Sequence, residues 1–215
     1  MPQEEYGRYR KHYDEDQARR YAKSKLANRR VHDAECRLTA RALAGVDRSE
    51  TIMDAPCGAG RMTLFLAELG FRPAAADVSP AMVELARQRC ADAGLEVPVE
   101  VSDLENTGWP DDAYDNLFSF RFFHHLPTAD LQRRVAAEMF RVTRRRVMVS
   151  YLDARSWTSR RRALEARIKH RIPGKHTLTP SQMTDLFETA GFKVVADYAR
   201  LPLIHSLRIL VAERR

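Results

Sequence analysis

Between residues 51 and 152 the chain alternates short apolar runs with amphipathic stretches about every 20–25 residues, and few folds accommodate that rhythm. Thr51-Ile52-Met53-Asp54-Ala55 reads as a short buried strand, and Arg61 to Leu69 as a helix closed by Gly70. Arg72 to Asp77 is a second strand. Ser79-Pro80 then opens a helix that runs to about Ala93, with proline at its first position, where its missing N–H costs nothing. Val97 to Val101 is a third strand, in which Pro98 is tolerable only near a start or an edge. Tyr114 to Phe120 and Arg146 to Leu152 are the fourth and fifth, joined by a helix from Thr128 to about Val142. Such alternation builds βαβ units, hence a parallel sheet with helices on both faces. The ending differs. After a capping box at Thr179-Pro180-Ser181-Gln182, a helix ends at Ala190-Gly191, and two strands follow, Phe192 to Ala199 and Leu207 to Ala212. The roughly seven residues between them are too few for a parallel crossover, so this pair is expected to be antiparallel. The expectation is an α/β, doubly wound, mostly parallel seven-stranded sheet with an antiparallel last strand. A helix is predicted over residues 33–45, from near Asp33 to Gly45. The division expected is a helical extension over residues 1–48 and a domain over 49–215 carrying a basic helical insert at 155–176.

Charge narrows the partners. The 215 residues carry 36 Lys plus Arg against 29 Asp plus Glu, a net of +7. A basic chain invites a nucleic-acid or anionic-membrane reading. Residues 51–154 are, however, net −4, while the 22 residues 155–176 alone are net +7. The longest run free of Asp, Glu, Lys and Arg is nine residues, His176 to Thr184, whereas a membrane-spanning helix needs about 20. Met1-Pro2-Gln3-Glu4-Glu5-Tyr6 has acids where a signal peptide needs basic and then apolar residues, so secretion is not expected. Cys36, Cys57 and Cys90 match no metal or disulfide spacing, so a reduced, cytoplasmic setting without a metal site is expected.

The segment Asp54-Ala55-Pro56-Cys57-Gly58-Ala59-Gly60-Arg61 joins the first strand to the first βα helix. Gly58 and Gly60 allow a tight turn and close approach of a ligand, and the following helix points free N–H groups at it. A ligand-free turn has the same glycines. Asp77 and Asp103 alter the balance. They stand at the next two strand ends, where carboxylates can accept from a ribose and from an adenine amino group. Each alone could be a loop cap; three acids at three successive strand ends point to a nucleoside cofactor. The dinucleotide pattern would need glycine at 63, where the chain has Thr63.

Asp-x-x-Cys-Gly-x-Gly-Arg resembles the first motif of class I S-adenosylmethionine (SAM) dependent methyltransferases. The resemblance extends to Ala76-Asp77-Val78-Ser79-Pro80-Ala81-Met82, Ser102-Asp103-Leu104, Tyr114 to Ser119 and His124-His125-Leu126, and is strongest for the small-molecule branch that includes quinone-biosynthesis enzymes. It implies a Rossmann-like fold with SAM as cofactor. Asp54 and the turn from Pro56 and Cys57 through Gly58 and Gly60 to Arg61 would hold the amino-acid end. Asp77 would hold the ribose, Val78 and Met82 would flank the adenine, and Asp103 with Leu104 would reach its edge. Phe120 and, from the N-terminal extension, Tyr21 would complete the cofactor site. Where relatives usually have glycine, this chain has Pro56, which stiffens the loop entry.

Methyl transfer from a sulfonium is an in-line displacement that needs alignment and exclusion of water. His124 or His125 could serve as a base, or His125 could be a structural contact. Arg121 could pair an acidic substrate or the cofactor carboxylate, or a nearby acid. In the basic segment, Trp157, Leu164 and Ile168 fall on one helix face. That segment suits a solvated cap, an anionic membrane or lipid-like substrate, a soluble anionic substrate, or RNA. RNA has least support: there is no recognition module, and Ser119-Phe120-Arg121-Phe122 stands where RNA amino-methyltransferases carry Asn/Asp-Pro-Pro-Tyr/Phe. The expected activity is methyl transfer to a small or lipophilic, anionic acceptor. The alternatives are a SAM-binding accessory protein without turnover and an RNA methyltransferase. The expected location is cytoplasmic, with peripheral contact at the inner membrane face through residues 155–176.

Overall fold

Seven strands form one sheet in the order β3-β2-β1-β4-β5-β7-β6. A computed structural model describes residues 20, 29–170 and 175–215. Its elements are α1 (Arg29–Ala42), β1 (Thr51–Asp54), α2 (Arg61–Glu68), β2 (Arg72–Asp77), α3 (Pro80–Asp92), β3 (Val99–Val101) and β4 (Tyr114–Ser119). A 3₁₀ turn (Phe123–His125) follows, then α4 (Ala129–Val142), β5 (Thr143–Leu152), α5 (Trp157–Ile168), α6 (Pro180–Thr189), β6 (Phe192–Ala199) and β7 (Leu207–Arg214). Strands β1 to β5 pair in parallel. β7 runs antiparallel to both β5 and β6, as the short β6–β7 connection requires.

Neighbouring strand residues face opposite sides, so one sheet feeds two cores. Met53, Leu117, Val147, Val149 and Leu210 pack under α4 and α6, against Val135, Met139, Met183 and Phe187. Their neighbours Ile52, Phe118, Met148 and Ile209 face α1 and α2, against Leu38, Ala42, Met62 and Leu66. The chain leaves β3 at one edge and returns to β4 beside β1. That reversal opens a crevice at the carboxyl ends of β1 and β4, where doubly wound sheets bind ligands.

Local chemistry sets the helix ends. Thr179 Oγ1 accepts from the Gln182 N–H at 3.2 Å, and Gln182 Oε1 accepts from the Thr179 N–H at 2.8 Å, closing the capping box. Of the boundaries that differ from the sequence expectation, three have a visible cause. Helix α1 spans 29–42 rather than 33–45, and Gly45 is not in the left-handed conformation of a helix-ending glycine. A Cβ at Gly45 would lie 3.1 Å from Arg146 Nη1, and that guanidinium donates to the Gly45 carbonyl. Gly45 thus serves close approach, not capping. Strand β3 begins at Val99 because Pro98 has no N–H to pair, though its carbonyl accepts from the Ala75 N–H at 2.8 Å. Strand β5 begins three residues early, because Thr143 both caps α4 and starts the strand.

Gly191 carries a strict demand. Its φ is +108°, and a Cβ there would lie 2.7 Å from the ring of Phe140. That ring is pinned against Phe192 at 5.2 Å and under Arg214 at 4.4 Å. Gly191→Ala is expected to lower stability by about 2–3 kcal/mol and the melting temperature by roughly 4–10 °C in calorimetry. Gly108→Ala, at φ +71° with open space around it, should cost about 1 kcal/mol.

Candidate functional site

The loop after β1 is folded by its own backbone bonds. The Ala55 N–H donates to the Phe118 carbonyl at 2.9 Å, the Ala55–Pro56 bond is cis, and the Cys57 N–H donates to the Ala76 carbonyl at 2.8 Å. Gly58 and Gly60 have φ of 54° and 73°. A Cβ on Gly60 would press on Ala86 at 3.1 Å, so α2 and α3 can approach only because this residue has none. A Cβ on Gly58 would meet nothing within 4 Å; this turn faces open space. The Gly58 N–H donates to Asp77 Oδ2 at 2.8 Å and the Ser79 N–H to Asp77 Oδ1 at 2.9 Å. A carboxylate has lone pairs beyond these two bonds, so Asp77 can still accept from hydroxyls.

Asp54, at the end of β1, is 1% exposed. Its Oδ2 accepts from the Thr63 hydroxyl at 2.6 Å, while Oδ1 is buried with no partner among the described residues. Burial pushes this carboxyl up to about 7, with Asp77 adding to the rise and Thr63 and Arg61 opposing it. Burial likewise raises Asp77, against the three backbone N–H groups of Ser79, Gly58 and Val78. An unpartnered acceptor beside an open glycine turn suits a cationic, hydrogen-bond-donating group.

From this loop a mostly apolar cavity runs along the carboxyl ends of β1, β2 and β3. Pro56, Val78, Asp103 and Leu104, all singled out by the sequence, line it. Other predicted residues sit elsewhere. Cys57 turns its thiol toward Ala75, Val83, Ala86 and Val99. Met82 packs with Ala59, Ala81 and Leu85. Phe120 lies with Phe118 on the α1–α2 side of the sheet. Tyr21 lies outside the described residues. Sequence reasoning missed Trp109, Phe122, Leu126, Leu131 and Val135, the cavity's apolar walls. Trp109 stands edge-on to Tyr114, with ring centroids 5.2 Å apart, and its indole N–H donates to Glu100.

A second centre lies at the end of β4. Glu35 of α1 is 2% exposed and receives two guanidiniums: Arg61 at 2.8 Å and Arg121, which donates through Nε at 2.8 Å and through Nη2. Arg121 therefore pairs a nearby acid, one of the roles open to it. Its φ of +59° is unfavourable for a side-chain-bearing residue, a strain of the kind that gathers at functional sites. Arg61 also contacts His32 Nδ1 at 2.8 Å. Glu35 was legible in the sequence, since Glu35, Leu38, Thr39 and Ala42 share one helical face, all buried. His124 is buried and His125 exposed, their rings 4.2 Å apart. The His124 carbonyl accepts from the His176 N–H at 2.9 Å, tying the far end of the basic segment to this turn.

Trp157, Leu164 and Ile168 lie on α5 as the spacing predicts, and all three are exposed. Leu201, Leu203 and Ile204 of the β6–β7 connection are exposed beside them. The Trp157 and Thr158 N–H groups donate to the Leu203 and Ile204 carbonyls at 2.7 and 3.1 Å. Elsewhere among the described residues only Val101 and Val195 are large, apolar and exposed.

Removing Glu35 would leave two guanidiniums facing each other in a partly dry site. Glu35→Gln is expected to cost about 2–3 kcal/mol, below the range for fully buried pairs because both arginines retain some contact with water. Denaturant titration reads this as a lower midpoint at unchanged slope.

Residues 52–146 match the family model described as a methyltransferase domain. The chain is 31% identical over 77 residues to 2-heptyl-1-hydroxyquinolin-4(1H)-one methyltransferase of Mycobacteroides abscessus, covering 35% of this chain and 34% of that protein. It is 36% identical over 98 residues to malonyl-(acyl-carrier protein) O-methyltransferase of Serratia marcescens, covering 44% and 34%. The matches span about a third of the length of each of these curated relatives. Magnesium protoporphyrin IX methyltransferase from Synechocystis PCC 6803, solved with bound SAH, superposes with a TM-score of 0.68 at 19% identity, over 86% of this chain and 83% of that one. Glycine turn, strand-end acids and sheet order agree with these matches: residues 52–146 match a methyltransferase domain, and the chain has the fold of S-adenosylmethionine-dependent methyltransferase structures.

Proposed function

We propose that this protein transfers a methyl group from SAM to a small or lipophilic, anionic acceptor. The observation that carries the reading is the unpartnered, buried Oδ1 of Asp54 at the foot of the Gly58 turn, next to Asp77. The cofactor's ammonium is a donor of the right charge for Asp54, and its ribose hydroxyls suit the remaining lone pairs of Asp77. Asp103 and Leu104 would hold the adenine edge, with Val78 beneath the ring and Trp109 along the apolar wall. When bound, SAM supplies a methyl group on a sulfonium, open to in-line attack by the acceptor. The protein's part is to align the two and exclude water. His124, buried beside the fourth strand's end, is the candidate base for a hydroxyl or phenol acceptor, with the His125 ring 4.2 Å from its own. The stretch through residue 48, including α1, would cover the amino-acid end of the cofactor.

Calorimetry with S-adenosylhomocysteine (SAH) tests this reading. Micromolar-range binding is expected, with loss of at least a hundredfold in Asp77→Ala; absence of binding in the parent protein would sink the proposal. The pH dependence is a sharper check. In the folded protein Asp54 stays protonated up to about 7, whereas the unfolded chain ionises near 4. Its contribution to stability is therefore fully present below about 4 and lost as pH rises towards 7. Pairing an ammonium requires the ionised form, so SAH affinity should rise about tenfold from pH 6 to pH 8. Asp54→Asn should bind more weakly and flatten that rise.

A second reading concerns the surface around α5. Arg155 and Arg160 border a shallow depression with Trp157 and Leu203, and Arg161 lies over the Trp157 ring at 5.2 Å. Exposed apolar side chains within a basic collar suit an anionic lipid surface, which would present a lipophilic acceptor to the site. Among the described residues no helix is long and apolar enough to cross a membrane, so contact would be peripheral. Co-sedimentation with phosphatidylglycerol vesicles should exceed that with phosphatidylcholine at least tenfold and fall with salt. A Trp157→Ser, Leu203→Ser double variant should lose most of it. Equal binding to both vesicles would overturn this reading.

A further inference from the structure

The β6–β7 connection contains an arrangement that its own residues leave unbalanced. His205 Nδ1 is 3.1 Å from the Leu207 backbone N–H, and His205 Nε2 is 3.1 Å from Arg200 Nη1. Leu207 N–H and the guanidinium are both donors. A neutral imidazole has one acceptor nitrogen and one N–H, so it can accept from only one of them. If Nδ1 accepts from Leu207, the Nε2 proton faces a guanidinium. If Nε2 accepts from Arg200, the Nδ1 proton faces the Leu207 N–H. Protonating the ring relieves neither conflict.

The surroundings add positive charge. Arg162 of α5 donates to the neighbouring Ser206 hydroxyl at 3.3 Å, and among the described residues neither Arg162 nor Arg200 forms an ion pair. Burial, then Arg200, Arg121 and Arg162, push His205 down to about 4, with Glu35 opposing. Glu35 already serves Arg61 and Arg121. All these groups stand at the carboxyl edge of the sheet. Arg121 follows β4, Arg162 lies on the helix after β5, and Arg200 and His205 lie between β6 and β7.

We infer that Arg162, Arg200 and the Nε2–H of His205 form an oxyanion subsite, flanked by Arg121, for a carboxylate or phosphate group. One oxygen between Nε2–H and Arg200 would turn the donor–donor contact into two charge-assisted hydrogen bonds and satisfy both ring nitrogens. Arg162 would take a second oxygen. Taking the bound molecule to be the methyl acceptor rests on the function proposed above. The subsite would hold the acceptor's acidic end while its nucleophile faces the methyl group, so acceptors lacking that end would be discriminated against.

The test is NMR titration of histidine-labelled protein, with and without SAH, using His205→Gln to assign the signal. The probes are inorganic phosphate and benzoate at constant ionic strength, with chloride as the reference salt. Phosphate or benzoate should raise the His205 pKa by at least one unit over chloride, and the responding probe identifies the chemistry. Arg200→Gln should abolish the rise; Arg162→Gln, on an exposed helix, should reduce it and serves if Arg200→Gln does not fold. No difference from chloride with either probe, or an undiminished rise in both variants, would overturn the subsite. SAH titration of the same samples separates the two proposals. SAH binding with an unresponsive His205 removes the subsite alone. A responsive His205 without SAH binding leaves an anion site and removes the methyl-transfer reading.

Discussion

The Asp77 carboxylate holds the site together. One oxygen takes the N–H of Gly58 and the other that of Ser79, so a single side chain ties the turn after β1 to the start of α3. Gly60 lets the two following helices close on each other, and Cys57 pins the loop to β2 through its backbone. Burial raises this carboxyl above the usual carboxylate range, and the three backbone N–H groups that face it oppose the rise. The open face of the glycine turn depends on this junction.

Much of the fold was legible because its signals are local. Strand–helix alternation, Pro80 and the capping box at Thr179 each fix an element without long-range information. The misplaced boundaries had non-local causes. Gly45 looked like a helix end but is required by Arg146, 101 residues away. Thr143 carries α4 into β5 with no loop to signal the change. In the site, the acids at strand ends and the glycine turn were readable, because backbone geometry restricts which residues fit. The apolar walls were not: Trp109, Phe122 and Leu131 come from three separate segments, and only the folded chain brings them to one cavity. Cys57, Met82 and Phe120 show the converse. A place in a motif fixes the path of the backbone, but which way a side chain turns depends on which core has room.

Charge follows the same division. The sequence locates the surplus of positive charge in residues 155–176. Folding places part of it beside arginines from other segments. Arg121 shares the Glu35 carboxylate with Arg61, whereas Arg162 and Arg200 meet only neutral partners among the described residues. Two arginines of the same formal charge thus have different electrostatic roles, and burial of one carboxylate on α1 decides which is which.

The backbone bonds from Trp157 and Thr158 to Leu203 and Ile204 join the first turn of α5 to the segment that carries Arg200 and His205. They act as a mechanical linkage. The outer apolar side chains and the inner cationic ones are therefore carried on segments tied to each other through the backbone, so what touches Trp157 and Leu203 from outside lies two hydrogen bonds from the turn that presents His205.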